Sequence, residues 1–436
     1  MRKERDQVWQ AAPTLFLFWK CGKVGADFFL VLPSRGSKGA FMTTQQSAHT
    51  ENDMVTAAQA LAPLIQEYRS TMEAERRLPA PVVDALRTLG AFRLAVPRAY
   101  GGLELDPMTQ VRVVEELSRL DGSVGWCAMI SSAGSFASAF LAPEVAQRLC
   151  SHIAFSLAGQ VVPVGRAELV DGGYRVTGRY RFGSGCQHAS IIVGGCVVFE
   201  GGTPRLLANG QPETRVMIFP PSSCKILDTW NTTGLLGTGS HDFEVEDVFV
   251  PFAESWSFME RPSYSGTLYR FPPLFLVTHA GVPLGLARAG IDAVIELANR
   301  KELAPDPHKL FGSRLLREES RVHEAIAVAE GALAAARSFT YSSLTELWDT
   351  LNRKERLSPR QRALYRIMLI DVHRVAKEVI TTMYDLAATS AIYRSHPLDR
   401  IMRDILTACQ HGVVHPKMYR PAGRLLLGLE AGDPLF

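Results

Sequence analysis

The sequence predicts an α+β protein that is mostly α, with a helical N-terminal domain, a middle antiparallel β domain and a C-terminal four-helix bundle. Two observations support this prediction. In the first and last parts of the chain, apolar residues recur every three or four positions, the period of an amphipathic helix. Between them, the period changes to short β-rich runs separated by turn residues. The expected domains are 42–152, 153–272 and 273–436, after an extension at 1–41.

The composition is that of a globular protein with more than one domain. The 436 residues are 47% hydrophobic and 21% charged, with a formal net charge of +3, and a chain of this length usually forms two or three domains. A nucleic-acid-binding protein would show a concentrated basic face, and a membrane span would need roughly 18 consecutive apolar residues. The sequence shows neither feature, so we expect no nucleic-acid partner and no membrane partner.

The cysteines argue against a disulfide framework. They lie at positions 21, 127, 150, 186, 196, 224 and 409. Their number is odd and no C-x-x-C pair occurs, so a reducing, cytoplasmic location is expected.

Residues 1–41 differ from the rest of the chain. They open with the basic MRKERDQVWQ and continue with the short apolar TLFLFW, after which come Lys20 and Lys23. No clean small-residue cleavage site follows, so a signal peptide is a weak interpretation. We expect a poorly packed extension that adds no domain.

The region 42–152 carries helical signals. VTAAQALAPLIQEY places Val55, Leu61, Ile65 and Tyr68 at helical spacing. LPAPVVDALRTLG begins with prolines and ends at Gly90, as a short helix does.

The region 153–272 carries strand signals. AELVDGGYRVTGRYRF has two β-rich runs around Asp171, Gly172 and Gly173, which indicates a hairpin. The runs ASIIVGGCVVF, RVMIF and HDFEVEDVFVPF add further strands. No strand–helix alternation occurs, so antiparallel pairing is expected.

From residue 273 the helical period returns over longer segments. Helices are predicted at about 273–301, 310–345, 358–392 and 397–412. The third has one apolar face, formed by Leu364, Met368, Val372, Val375, Val379, Met383 and Leu386. Consecutive amphipathic helices of this length predict a bundle.

Three local motifs, in this order, resemble the acyl-CoA dehydrogenase fold over about residues 50–436. VPRAYGGLELDP is similar to that family's P-x-x-Y-G-G segment. GRYRFGSG resembles the strand edge that faces the flavin, and TTGLLGTGSHDFEVEDVFVP resembles the stretch that ends in D-V-x-V-P. The resemblance implies the three-part fold described above and a flavin cofactor.

Two further segments resemble one branch of this fold, the flavin-dependent monooxygenases of two-component systems. DGSVGWCAMI is similar to their D-G-S-x-G-W helix, and the end of the chain, from RDILTACQHGVV onward, is similar to their C-terminus. The resemblance implies that reduced flavin, FMN or FAD, arrives from a separate reductase. It then reacts with O2 to form a flavin hydroperoxide, which oxygenates an aromatic or related small molecule. It also implies a homotetramer, or at least a dimer, in which a neighbouring subunit completes the flavin site.

Two alternatives remain: a true acyl-CoA dehydrogenase, and a non-catalytic relative that keeps the bundle as an assembly scaffold. A dehydrogenase removes a proton beside a thioester with a carboxylate base. Here Q-H-G at 410–412 replaces the usual Y-E-G, and GQVVPVGRAE stands where the dehydrogenases have G-x-G-S-D. Both departures favour the monooxygenase.

The resemblance also implies a set of site residues. His411 lies beside the flavin as the catalytic residue, because an imidazole with a pKa of about 6.5 suits proton transfer; a structural histidine is the alternative. Ser184 donates a hydrogen bond to the reactive nitrogen of the flavin ring, and Trp126 stacks on the flavin or lines the cavity. A surface strand serine and a core tryptophan are the alternatives for these two. Gly159 and Gln160 lie where a backbone contact to the flavin falls.

Other motifs are assigned no chemistry. The eleven histidines show no H-x-x-E-H or similar pairing, so no metal is predicted. No helix follows Gly237, Thr238 and Gly239, which favours a turn near the cofactor over a dinucleotide fingerprint. His188 is expected to be structural.

Overall fold

The computed structural model describes residues 51–303 and 314–433, which form helices, then a sheet, then helices. The predicted fold class is therefore confirmed. The extension expected at 1–41 lies outside the described residues, and the domain boundaries after residues 152 and 272 stay predictions.

Among the described residues, six α-helices precede the sheet, and two of them, the fourth and the fifth, begin at aspartate caps. The six are α1 (Glu51–Gln59), α2 (Ala62–Glu75), α3 (Ala80–Leu89), α4 (Pro107–Leu120), α5 (Gly122–Ser135) and α6 (Pro143–Cys150). The Asp106 side chain accepts a hydrogen bond from the Thr109 backbone N–H (3.0 Å), and Asp121 accepts one from the Ser123 backbone N–H (2.9 Å). Such caps satisfy N–H groups that have no partner within the helix. The buried start of α5 is thereby fixed.

The strands form one twisted layer that follows the N-terminal helices. They are β1 (Leu157–Val170), β2 (Gly173–Gly183), β3 (Ile191–Glu200), β4 (Thr203–Pro204), β5 (Thr214–Phe219), β6 (Lys225–Leu227), β7 (His241–Pro251) and β8 (Ser255–Trp256). Their order is β6-β7-β2-β1-β3-β5-β8, with β4 paired to β3. The predicted hairpin is confirmed, since Val170 pairs with Gly173 across the turn. Tyr180, Phe219 and Phe243 are central to the apolar core on one face of the sheet.

The prediction of purely antiparallel pairing is wrong for one pair of strands. β1 and β3 run parallel, with Leu157 opposite Ile191 and Glu168 opposite Phe199. β2 runs antiparallel to β1 and ends beside the start of β1. The segment 184–190 then passes from this side of β1 to the other side, where β3 begins. A parallel pair ordinarily requires a long crossover connection, usually a helix, and here an antiparallel strand takes its place.

The C-terminal helices confirm the predicted bundle. They are α7 (Gly281–Arg300), α8 (Ser320–Asn352), α9 (Pro359–Ala387) and α10 (Pro397–Ala408), with a short α11 (Tyr419–Leu426) after them. α9 packs against α7, α8 and α10, and α7 also packs on α4 of the N-terminal region. A Cβ on Gly281 or Gly285 would meet backbone atoms of α4, so glycine allows this close approach.

The second of these helices begins later than predicted. β9 (Glu302–Leu303) and β10 (Arg314–Leu315) form a small antiparallel pair, and α8 starts only at Ser320. Residues 304–313 lie outside the described residues. Within the described ranges, Pro272–Arg300 is the one segment long and apolar enough to cross a membrane, and 89% of its apolar window is buried in the fold. It is explained as the core helix of the bundle.

An Arg-Asp pair fixes α10 to the loop before β7. Arg403 Nη1 donates to the Thr233 carbonyl oxygen (2.7 Å), and Arg403 Nη2 donates to Glu73 Oε1 (2.8 Å). Asp404 Oδ1 accepts a hydrogen bond from the Leu235 backbone N–H at 2.6 Å. α10 and this loop therefore hold each other in place.

The Asp404 carboxyl is buried in an uncommon state. Its second oxygen, Oδ2, has no hydrogen-bond partner among the described residues, and a Cβ on Gly122 would lie 2.6 Å from it. Burial, and then the nearby Asp121 charge, raise the pKa of Asp404 from 3.8 to about 7. Because the folded protein binds this proton more tightly than the unfolded chain does, the contribution to stability is full below the unfolded pKa and is lost as the pH rises to the folded pKa.

Asp404→Asn should remove this pH dependence. Asparagine keeps an oxygen for the Leu235 N–H but cannot ionise, so the variant should gain stability relative to wild type from about pH 4 to about pH 7, with a constant difference above that. The full difference should be roughly 1–4 kcal/mol. Urea unfolding followed by circular dichroism across this range measures it.

Asp404→Ala is the matched comparison, because it leaves the buried Leu235 N–H without an acceptor. This variant should be less stable than Asp404→Asn by roughly 1–3 kcal/mol at every pH. A wild type and an asparagine variant that differ equally at pH 5 and pH 8 would show that the carboxyl is not held neutral.

Candidate active site

Three aromatic rings from distant parts of the chain meet beside the start of the bundle. Trp126 lies on α5, His279 lies in the 3₁₀ segment Pro272–Ala280, and His411 follows the end of α10. The ring centres of Trp126 and His411 are 5.6 Å apart, and those of His279 and His411 are 4.8 Å apart. The structure thus brings together two residues that the sequence singled out, Trp126 and His411, and adds a second imidazole.

Ser184 lies against the same tryptophan. The Trp126 indole Nε1–H donates a hydrogen bond to Ser184 Oγ (3.1 Å), and Ser184 Oγ is 2.6 Å from Ser240 Oγ. The turn after β2 aims this serine inward, with positive φ at Phe182 (63°) and Gly185 (77°) on either side of it. Ser184 is buried, so the alternative of a surface strand serine is excluded.

Gly159 and Gln160 are less closely tied to the cluster. At Gly159 the backbone has φ of 131°, and a Cβ would clash with the Val193 carbonyl oxygen of the neighbouring strand, so packing alone explains this glycine. Gln160 Oε1 accepts a hydrogen bond from the Arg181 backbone N–H (3.4 Å). Among the described residues, neither one has a hydrogen bond or ring contact with Trp126, Ser184 or His411.

Both imidazoles of the cluster are held in the neutral form. Desolvation lowers the pKa of His411 to about 4, although its side chain keeps partial exposure. The pKa of His279 lies well below its usual value because of burial and then because of the nearby His411 and His373. Two neutral imidazoles at pH 7 can each accept a proton.

The hydrogen-bonding capacity of these imidazoles is incompletely used. His279 is 2% exposed, and its Nδ1 atom has no hydrogen-bond partner among the described residues. His411 Nδ1 accepts only a long hydrogen bond from the Val413 backbone N–H (3.4 Å). Buried polar atoms are nearly always paired, so His279 Nδ1, unpaired within the described residues, fits a site that receives a polar ligand.

The remaining motifs have structural roles. His188 stacks on Phe92 with ring centres 5.7 Å apart, as a structural histidine would. Leu236–Thr238 forms a 3₁₀ turn that ends at Gly239, with φ of 52°. No group of three or more His, Cys, Asp or Glu side chains within 51–303 and 314–433 could hold a metal ion.

Sequence reasoning missed two residues of the cluster, His279 and Ser240. His279 is the one ionisable residue in the apolar run LFLVTHAGVPLGLA, a signal that was available. Ser240 is part of the G-T-G-S stretch, but nothing in its spacing indicates a contact with Ser184.

The residues fit a flavin. An isoalloxazine ring is flat and carries polar atoms at its edges. The cluster offers an indole face, a buried hydroxyl and one imidazole nitrogen, His279 Nδ1, that lacks a partner among the described residues. Residues 46–154 match the acyl-CoA dehydrogenase N-terminal domain, and residues 277–416 match the acyl-CoA dehydrogenase C-terminal domain.

Several proteins similar to this chain are named as monooxygenases or hydroxylases. The chain is 31% identical to an indole-3-acetate monooxygenase of Pseudomonas putida, over 81% of this chain and 88% of that protein. It is 34% identical to the oxygenase component of an FADH2-dependent resorcinol hydroxylase of Rhizobium sp., over 53% of this chain and 57% of that protein. The crystal structure of 3-HSA hydroxylase from Rhodococcus sp. RHA1 superposes with a TM-score of 0.79 at 25% identity, covering 88% of this chain and 98% of that one. The chain therefore belongs to the flavin-dependent monooxygenases that have the acyl-CoA dehydrogenase fold, oxidoreductases whose cofactor is reduced flavin.

Proposed function

We propose that this protein is the oxygenase component of a two-component system, which takes reduced flavin from a separate reductase and uses O2 to hydroxylate an aromatic or related small molecule. The observation that carries the proposal is the pair of neutral imidazoles, His279 and His411, beside the Trp126–Ser184 hydrogen bond. The names of two relatives, an indole-3-acetate monooxygenase and a resorcinol hydroxylase, support an aromatic substrate.

The cofactor-binding residues of this proposal are Trp126, Ser184, Gly159 and Gln160. Bound reduced flavin supplies two electrons and activates O2, so that one oxygen atom reaches the substrate and the other leaves as water. The Trp126 ring lines the cavity, and its indole N–H donates a hydrogen bond that holds the Ser184 oxygen in position. Gly159 and Gln160 contribute backbone groups near the start of β1, beside the end of β2. Either FMN or FAD meets these requirements.

His411 is the catalytic residue of this proposal. Because desolvation keeps its imidazole neutral at pH 7, it can accept the proton of a substrate hydroxyl as a general base. Loss of that proton makes an aromatic ring more electron-rich and so a better acceptor of an electrophilic oxygen atom. The hydrogen bond from the Val413 N–H to His411 Nδ1 is long (3.4 Å) and weak. Little hydrogen-bond energy is therefore lost if Nδ1 takes up a proton.

The acyl-CoA dehydrogenase alternative lacks its base. That reaction needs a carboxylate beside the substrate, yet among the described residues no carboxylate shifts the pKa of His279 or His411. Asp404, the nearest acid to His411 along the chain, uses one oxygen to hold the Leu235 N–H and is about half protonated at pH 7. The histidines therefore favour the monooxygenase. The buried Nδ1 of His279, unpaired within the described ranges, also argues against a non-catalytic scaffold, which has no use for it.

The assembly and location remain part of the proposal. We propose a homotetramer, or at least a dimer, in the cytoplasm, since the C-terminal segment exposes apolar side chains that an interface would cover. Leu427 is 79% exposed, and Ile392 and Tyr393 are 61% and 64% exposed. Exposed apolar groups of this size commonly mark interfaces.

His411→Ala should slow substrate hydroxylation by about 100- to 10,000-fold, the usual contribution of general acid–base catalysis, and should change flavin affinity much less. Stopped-flow mixing of the anaerobic protein, loaded with reduced flavin and substrate, against O2 measures the hydroxylation rate. His415→Ala is the matched control, because that imidazole is exposed and caps only the Lys417 N–H. If His411→Ala hydroxylates as fast as wild type, the histidine is structural.

Ser184→Ala should lower coupling rather than proton transfer. Without the hydroxyl, the flavin loses a hydrogen-bond partner, so a larger share of the consumed O2 should leave as hydrogen peroxide without product. Product and peroxide yields per O2 consumed measure this, with the exposed Ser342→Ala on α8 as the control. If Ser184→Ala and wild type give the same product yield per O2 consumed, Ser184 has no role at the flavin.

The assembly is tested by the mass in solution. Sedimentation or light scattering at micromolar protein should give a mass two or four times the 48.0 kDa of one chain. Replacing the exposed Leu427 with aspartate should shift the protein toward smaller species, because a charge would be buried in the interface. A monomeric wild type would contradict the proposal.

A further inference from the structure

Ser184 is the first member of a buried chain of hydroxyl groups. Ser184 Oγ lies 2.6 Å from Ser240 Oγ, and Ser240 Oγ lies 2.7 Å from Thr238 Oγ1. Thr238 Oγ1 in turn lies 2.7 Å from the Leu235 carbonyl oxygen. Ser184, Ser240 and Thr238 are 5%, 3% and 1% exposed, so bulk water does not compete for their hydrogens.

The carbonyl group at the end of this chain sets the direction of every hydrogen in it. A carbonyl oxygen can only accept, so Thr238 must donate its one hydroxyl hydrogen to Leu235. Thr238 must then accept from Ser240, and Ser240 must accept from Ser184. The opposite order would leave Thr238 Oγ1 and the Leu235 oxygen 2.7 Å apart with no hydrogen between them, which is repulsive.

The hydrogen of Ser184 is therefore committed to Ser240, whereas its oxygen remains available. Of the two lone pairs on Ser184 Oγ, one accepts the Trp126 indole N–H and the other is unused by the described residues. We propose that Ser240 and Thr238 are positioning residues that hold the Ser184 hydroxyl as a hydrogen-bond acceptor toward the flavin, so that the site selects the reduced form. This inference rests on the proposed flavin contact of Ser184, and it reverses the donor role expected from the sequence.

Reduced and oxidised flavin differ at N5, the ring nitrogen that Ser184 is proposed to contact. Reduced flavin carries a hydrogen on N5 and can donate it to Ser184, whereas oxidised flavin has a lone pair on N5. Oxidised flavin would place that lone pair against the Ser184 oxygen, or would require the hydroxyl to turn and give up its bond to Ser240. A serine held in this direction therefore favours a cofactor that arrives already reduced.

Anaerobic titration of the intact protein with oxidised and dithionite-reduced FMN and FAD tests the proposal without turnover. The measured quantity is the ratio of the dissociation constants for oxidised and reduced flavin. Ser240→Ala removes the acceptor of the Ser184 hydrogen, which can then turn toward the flavin, so this ratio should fall by roughly two- to tenfold, the usual effect of one hydrogen bond. Thr238→Val should lower the ratio similarly, because Ser240 loses its acceptor and can donate to Ser184 instead.

Thr238→Ser is the rescue variant, since it keeps the hydroxyl and its bond to Leu235, and its ratio should match wild type. The two lowering variants act on different members of the chain, so the misfolding of one leaves the other as a test. A ratio unchanged in the variants that fold and bind flavin would overturn the positioning role while leaving the proposed function intact. A wild type that binds neither flavin form would overturn both.

Discussion

The hydrogen bond from the Leu235 backbone N–H to Asp404 Oδ1 is the constraint on which the site depends. Leu235 has a left-handed backbone, with φ of 53°, a conformation that costs a leucine free energy. Its carbonyl oxygen accepts from the Trp230 indole N–H and from Thr238 Oγ1, so one residue joins α10 to the hydroxyl chain. The carboxyl that holds Leu235 lies on the helix that leads to His411. The positions of Ser184 and His411 both depend on this one residue, through the hydroxyl chain and through α10 respectively.

Burial shifts the pKa of a histidine and that of a carboxyl group in opposite directions. Burial favours the neutral form of any ionisable group. For an acid this means a larger protonated fraction, and Asp404, with a pKa of about 7, is about half protonated at neutral pH. For an imidazole it means deprotonation, so His411, with a pKa of about 4, stays ready to accept a proton at neutral pH. The same apolar surroundings thus keep an imidazole in the unprotonated form, whereas they leave a carboxyl partly protonated.

The helices and the hairpin were predictable because their signals are local. Prolines at helix starts and apolar residues three or four positions apart act over a few residues, so all the bundle helices except the second were predicted close to their observed places. The parallel pairing of β1 with β3 was not predictable in this way, because it depends on which side of β1 the segment 184–190 passes. The late start of α8 likewise depends on the pairing of β10 with β9, two strands that are separated by ten residues in the sequence.

The sequence by itself determined the period of each segment, the motifs that mark the family, and the importance of Trp126, Ser184 and His411 as candidates. Only the tertiary structure decided that these three meet, that His279 joins them, and that Gly159 is explained by its packing against Val193. It also decided the direction of the Ser184 hydroxyl, which follows from a carbonyl oxygen on another loop. The physical reason is that protonation states and hydrogen-bond directions are set by desolvation and by partners distant in the chain, and neither is encoded in the spacing of residues along it.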